Sequence, residues 1–201
     1  MVRSFAAFLI ATLSAAALAQ APANPPVRIR GTVEKLDGNM LSVKTREGQT
    51  MNVKMADNFA VVGIQKAGVA DIATGKFIGT TTVGERGGAL VAEEVHIFPE
   101  SMRGTGEGHY AWDLKPNSMM TNANVAEIVS MASDRIMTVQ YKGGEKKILV
   151  TENTAIVSYT PADKAELKPG APIFMVSQKQ PDGSLTAARV NVGLRGQVPP
   201  M

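Results

Sequence analysis

The stretch Gly106–Val125, GEGHYAWDLKPNSMMTNANV, gathers residue types that could do chemistry and that are scarce elsewhere in this chain of 201 residues. It holds the one tryptophan, one of two histidines and one of three tyrosines, with two adjacent methionines. Thioether sulfur and imidazole suit Cu(I), and thioethers persist in oxidising surroundings where thiolates are at risk. Met102, His109, Met119 and Met120 are therefore candidate metal ligands, with Trp112 a candidate cap that lays its ring face over the cation. Neighbouring residues of a strand point to opposite faces, so only one of Met119 and Met120 can join His109 and Met102 without a turn.

The same residues also fit a mechanical role. Tyr110, Trp112 and Leu114 alternate, so an extended segment presents all three on one face, where they would pack into a groove as a brace between two domains. Asn122 and Asn124 would then satisfy backbone groups at the turn that follows. Left exposed, Tyr110 and Trp112 beside Asp113 and Lys115 would instead make a surface for an envelope protein or a polymer, because aromatic residues are enriched at such faces.

Other chemistry is thinly represented. There is no G-x-S-x-G elbow, no G-x-x-x-x-G-K phosphate loop and no H-E-x-x-H ligand pair. Arg103–His109, RGTGEGH, alternates glycines but opens no helix, so it reads as a loop and not a dinucleotide cradle. His96 lies between Val95 and Ile97, which take the core face, so His96 is expected on the solvated face. Glu93 and Glu94 are strand neighbours that diverge, and Asp37 and Asp182 are turn residues beside glycine. The chain has no cysteine, which excludes disulfides and thiolate sites. The expectation is a protein without catalytic residues and without a cofactor, copper being the alternative.

The residues that must position this stretch begin with a leader. Arg3 is followed by the apolar run SFAAFLIATLSAAALA (4–19), and Ala17-Leu18-Ala19 is a small-residue cleavage pattern, so residues 1–19 read as a signal peptide and residues 20–26 as a Pro-rich linker. That predicts a periplasmic or secreted chain with no transmembrane segment after cleavage. Removing Arg3 leaves 20 basic against 18 acidic side chains, interspersed, which is no footprint for nucleic acid.

Shifted by 95 residues, Val53–Ile97 aligns without a gap on Ile148–Val192, with eleven identities in 45 positions, among them Ala60/Ala155, Gly75/Gly170, Ile78/Ile173 and Val95/Val190. Each copy alternates apolar and polar residues through short segments broken at Asp-Gly and Glu-Gly turns, which is the pattern of strands. AGVADIATG (67–75) and PADKAELKPG (161–170) read as short helical turns, with Pro161 in a first turn and Gly170 as the left-handed residue after the last. Five strands with a short helix between the third and fourth are the element order of an OB-type barrel.

The order G-x-V, turn, strand, turn, strand, DIATG or ELKPG, then a final A-x-x-V strand resembles a family of exported bacterial small β-barrel domains catalogued only as a domain of unknown function. The likeness covers 28–98 and 124–193 and implies a fold, with no activity, cofactor or site residue attached. The expected architecture is all-β: an OB-like barrel at 27–98, an ordered insert at 99–123, a second tandem barrel at 124–193, and a tail at 194–201. The expected role is non-enzymatic binding or scaffolding in the cell envelope, with copper handling through the insert as the alternative.

Overall fold

The computed structural model describes residues 25–130 and 134–201. The leader at 1–19 and all but the last two residues of the linker lie outside the described residues. The described chain is all-β, as its alternation predicts: β1 Val27–Asp37, β2 Met40–Thr45, β3 Thr50–Lys66, β4 Phe77–Arg86, β5 Ala89–Ile97, β6 Gly108–Ala111, β7 Met119–Ser130, β8 Arg135–Tyr141, β9 Gly144–Val150, β10 Ala155–Pro161, β11 Pro172–Lys179 and β12 Leu185–Gly193. No helix among the described residues is long and apolar enough to cross a membrane.

One five-stranded barrel closes in the order β1-β2-β3-β12-β11 and back to β1. Its closing pairs are β1 with β11, antiparallel, and β3 with β12, parallel. Inside lie Ile29, Leu41, Val43, Val53, Ile173 and Val190, the inward residues of their strands. The strand pairing departs from the tandem arrangement that the repeat suggested. β4 and β5 do not return to β1–β3; they pair onward through β4 with β7, and β5 meets β9 at Leu90↔Ile148 and Val91↔Leu149. Residues 27–98 therefore do not close on themselves: their first three strands are completed by the last two strands of the second copy. Ile78, Val95, Val125, Val139 and Ile148 form a separate core within the β5-β4-β7-β8-β9 circuit.

The exchange preserves the repeat in the backbone. β3 crosses β10 antiparallel with Ile64 opposite Tyr159, and these two residues are each other's counterparts under the 95-residue shift. The parallel pairs Val61↔Val190 and Val95↔Ile156 are likewise counterparts of each other. A local two-fold axis thus passes through the Ile64–Tyr159 pair. A third core gathers around it, in the seam, from Val62, Ile64, Phe77, Phe98, Val157 and Phe174. In the run Val61-Val62-Gly63-Ile64 both faces of β3 are buried, Val61 in the barrel and Val62 and Ile64 in the seam.

The expected short helices reduce to three-residue 3-10 turns, Val69–Asp71 and Lys164–Glu166. Pro161 ends β10 and does not open a helix. Gly75 and Gly170 do adopt positive φ, +83° and +84°, the left-handed conformation that favours glycine.

Candidate functional site

Along the seam runs a cleft of ≈ 980 Å³. Its floor is the outer face of the closed barrel, where β12 presents Arg189 and Asn191 and β11 presents Phe174. The seam strands contribute His96 and Tyr159, and the insert and β7 contribute Tyr110, Trp112, Met120 and Asn122.

His96 is not on a solvated face. It does point away from Val95 and Ile97, but that side of β5 is the seam, and only 2% of the residue is exposed. Its ring stacks on Tyr159 at 5.1 Å between centroids, with an interplanar angle of 6°, and meets the edge of Phe98. Glu94, two residues earlier on the same face, is wholly buried; its Oε1 accepts a 2.7 Å hydrogen bond from Thr81 and lies 3.6 Å from His96 Nδ1. Glu93 diverges as expected and pairs with Lys115. Gly79, across from His96 on β4, makes room for the imidazole: a Cβ there would fall 1.8 Å from His96 Nε2 and 2.4 Å from Asn122 Oδ1. Burial, with the charge of Glu94 behind it, raises the Tyr159 phenol well above its ordinary value.

The insert is tied to both parts of the sheet. β6 pairs with β7, and Arg103 holds Glu100, Asn124 and the Gly75 carbonyl together. Trp112 reaches over to the closed barrel, where the Arg28 guanidinium lies 4.1 Å from its ring centre and Phe174 is 6.3 Å away. Asp113 pairs with Arg30 at 2.7 Å and with Arg28 at 3.5 Å. Partial burial opposes ionisation of Asp113, but the Arg30 hydrogen bond and the two guanidinium charges outweigh it and hold the carboxyl below its usual range. Tyr110 packs edge-on to Trp112, and its phenol is raised chiefly by burial; Leu114 is half-buried. Asn122 donates to the Thr105 carbonyl and to the Tyr110 hydroxyl, so it serves a backbone group as the sequence suggested.

The five candidate metal residues divide between two faces. In the β6–β7 ladder His109 lies opposite Thr121, while Tyr110 lies opposite Met120. His109 Nδ1 is 2.8 Å from the Thr121 hydroxyl and its ring faces Tyr141, away from the cleft; burial first, and then the Lys146 charge, lower its pKa. Met119, opposite Ala111, shares the His109 side by alternation. Met120 and Trp112 line the cleft, and Met102 packs against the seam core. The imidazole and the cleft-side sulfurs are thus not brought together. Among the described residues no three His, Asp or Glu side chains are grouped to hold a metal.

Six side-chain atoms are buried without a hydrogen-bond partner among the described residues: Arg28 Nε, Glu94 Oε2, His96 Nδ1, Trp112 Nε1, Asn122 Oδ1 and Asn191 Oδ1, the last four on residues that line this cleft but beneath its surface. Buried polar groups are nearly always paired in folded proteins, so their gathering beneath the cleft sets the seam apart from the two apolar cores. Of these residues only Trp112 was singled out as a binding candidate from the sequence. A signal for the others was present: Val61-Val62-Gly63-Ile64 is an apolar run, as in a strand covered on both faces, and whatever covered it would also cover the outward residues beside it. Compared with protein-family models, with curated proteins and with solved structures, the chain matches none.

Proposed function

We propose that this is a non-enzymatic binding protein whose ligand occupies the seam cleft between two OB-like barrels that have exchanged their last two strands. The leader-like sequence of residues 1–19 supports a periplasmic or secreted location. The observation that carries the reading is the seam cleft of ≈ 980 Å³, with Tyr110, Trp112, Phe98 and Phe174 in its walls and Arg189 on its floor. A volume near that of known small-molecule sites, apolar lining and a few convergent polar groups are the usual marks of a binding pocket.

The OB-like description rests on the order 1-2-3-5-4 around the closed barrel, with the parallel pairing of the third and fifth positions. The insert acts as the brace: its strand β6 pairs with β7, while its tryptophan docks on the closed barrel. Copper handling finds no support in the placement of His109.

The test uses 8-anilinonaphthalene-1-sulfonate, a probe with an apolar body and an anionic group. It should bind the protein one-to-one and accept energy from Trp112. Ala60→Trp and Ala188→Trp, at exposed positions lining the cleft, should each abolish binding with unchanged thermal unfolding. Binding that is indifferent to both substitutions would overturn the site.

A further inference from the structure

We propose that one end of the seam cleft is a seat for an extended, proline-bearing peptide with a methionine-sized apolar residue, and that the chain's own residues 197–201 fill this seat in competition with a partner's segment. This rests on the seam cleft being a binding site and goes further by naming the ligand class and what controls access to it. The segment is Gln197-Val198-Pro199-Pro200-Met201. Met201 lines the cleft, is only 3% exposed and belongs to the seam core with Phe98, Tyr159 and Phe174. An unbranched thioether fills an irregular gap readily, and the Tyr159 hydroxyl donates to its sulfur at 2.7 Å.

What holds the segment is what a foreign peptide would also offer. It joins no strand. Arg46 donates to the Pro199 carbonyl at 3.2 Å and Arg30 Nε to the Met201 carbonyl at 2.7 Å, so two guanidinium groups read main-chain carbonyls two residues apart, the repeat of an extended chain. Pro199 is buried and has no N–H in need of an acceptor, so proline suits that place. The other hydrogen bonds of the segment, from Gln197 N to the Leu194 carbonyl and from Gln197 Nε2 to the Val198 carbonyl, stay within the segment and the turn before it. Proline-bearing segments on aromatic-walled grooves are a recurring mode of peptide recognition, because such segments have little freedom to lose.

The segment is also poised to leave. It follows the turn Leu194–Gly196, in which Arg195 takes φ +52°, a left-handed conformation that side chains rarely adopt. Gln197 then doubles back on the end of β12 so closely that a Cβ on Gly193 would fall 1.6 Å from the Gln197 carbonyl oxygen. A segment tied down by side-chain contacts after a strained turn belongs to the part of a molecule that opens first.

The experiment follows fluorescein-labelled Gln-Val-Pro-Pro-Met, amidated at its last residue, by fluorescence anisotropy with the whole chain and two variants. In the unchanged protein the tethered segment competes at an effective concentration on the order of millimolar, so the peptide should bind weakly and raise the melting temperature only near that concentration. Met201→Ala empties the apolar seat. Gly193→Ala pushes the segment off by its backbone and leaves Arg30, Arg46 and Tyr159 untouched. Each variant should bind the peptide at least about ten-fold tighter than the unchanged protein. A peptide ending in aspartate should not bind, and Arg46→Gln added to Gly193→Ala should weaken binding about three- to ten-fold, the worth of one hydrogen bond. Equal affinity in all three proteins, or equal affinity for the aspartate peptide, would overturn the seat. If Met201→Ala does not fold, Gly193→Ala decides; if neither folds, the melting temperature of the unchanged protein in millimolar peptide decides, and no rise sinks the proposal. If the anilinonaphthalene probe binds while the peptide does not, the cleft stands and the peptide falls. If neither binds, both readings fall together.

Discussion

The two copies of the repeat place the same backbone on either side of the seam and dress it in opposite ways. On β5 the sequence is Glu94-Val95-His96 and on β12 it is Arg189-Val190-Asn191, with Val95 and Val190 turned into their separate cores. Across from His96 sits Gly79, and across from Asn191 sits Phe174, its counterpart. A large ring over no side chain on one side answers a small amide beside a large ring on the other. Charge is inverted as well: a buried carboxylate where the other copy has an open guanidinium. A two-fold seam made from identical faces would put like charges and like bulk together. Divergence at these few positions lets the copies dock and leaves one lined cleft on the axis side that the insert covers.

The most damaging way to break this comparison is to make the first copy match the second. Gly79→Phe would drive a ring into the space of His96 and should cost about 3 kcal/mol in urea unfolding, the upper end for overpacking. Adding His96→Asn, which completes the match, should recover more than half; no recovery would show that the glycine is needed for a reason other than the imidazole. Next is the element without a counterpart. Trp112→Ala removes the contact between insert and closed barrel and should cost about 2 kcal/mol, below the range for a wholly buried tryptophan. A loss under about 0.5 kcal/mol would mean that the brace carries no stability.

Tyr159 sharpens the comparison at the axis, where its counterpart is Ile64. Its raised phenol favours the folded state fully below the unfolded value near 10, and that contribution is lost as pH climbs from there towards the folded pKa. The wild type should therefore lose about 1.4 kcal/mol per pH unit above 10 through this group, and Tyr159→Phe should not. Coincident stability curves for the two proteins between pH 9 and 11 would contradict the buried assignment. The smallest effect is at Asp113. Its lowered pKa makes the Arg30 contact stabilising above the unfolded value near 4, and the contribution fades as pH falls through the folded pKa. Because the Asp113 side chain is 45% exposed, a double-mutant cycle of Asp113→Asn with Arg30→Met should give about 0.2–1 kcal/mol and vanish in high salt.

Strands were legible in the sequence because period-two alternation is a local property, and the 95-residue repeat reported that the two copies share a backbone. Which copy supplies which strand was not legible. β4 pairs equally well in kind with β7 or with β1, since Gly31 and Ala123 are equivalent places in equivalent ladders. Alternation also misplaced His96, because it tells which residues face away from a core and not whether a second surface covers them. The insert was legible as ordered from Tyr110, Trp112 and Leu114, but His109 and Met120 could be assigned to opposite faces only once the register of β6 on β7 was known.

The exchanged strands have a consequence for how the chain becomes a protein. The strands of the second circuit lie between residues 77 and 150, so that circuit is complete in the nascent chain while two of the five strands of the closed barrel, β11 and β12, are still unmade. β1, the first strand to be synthesised, has to wait for β11, with Val27 finally lying against Ser177. Closure over so long a stretch is entropically costly and slow, so the last part to fold includes the first part made. Until then β1–β3 present an unclosed sheet with two bare edges, the state in which such strands find wrong partners.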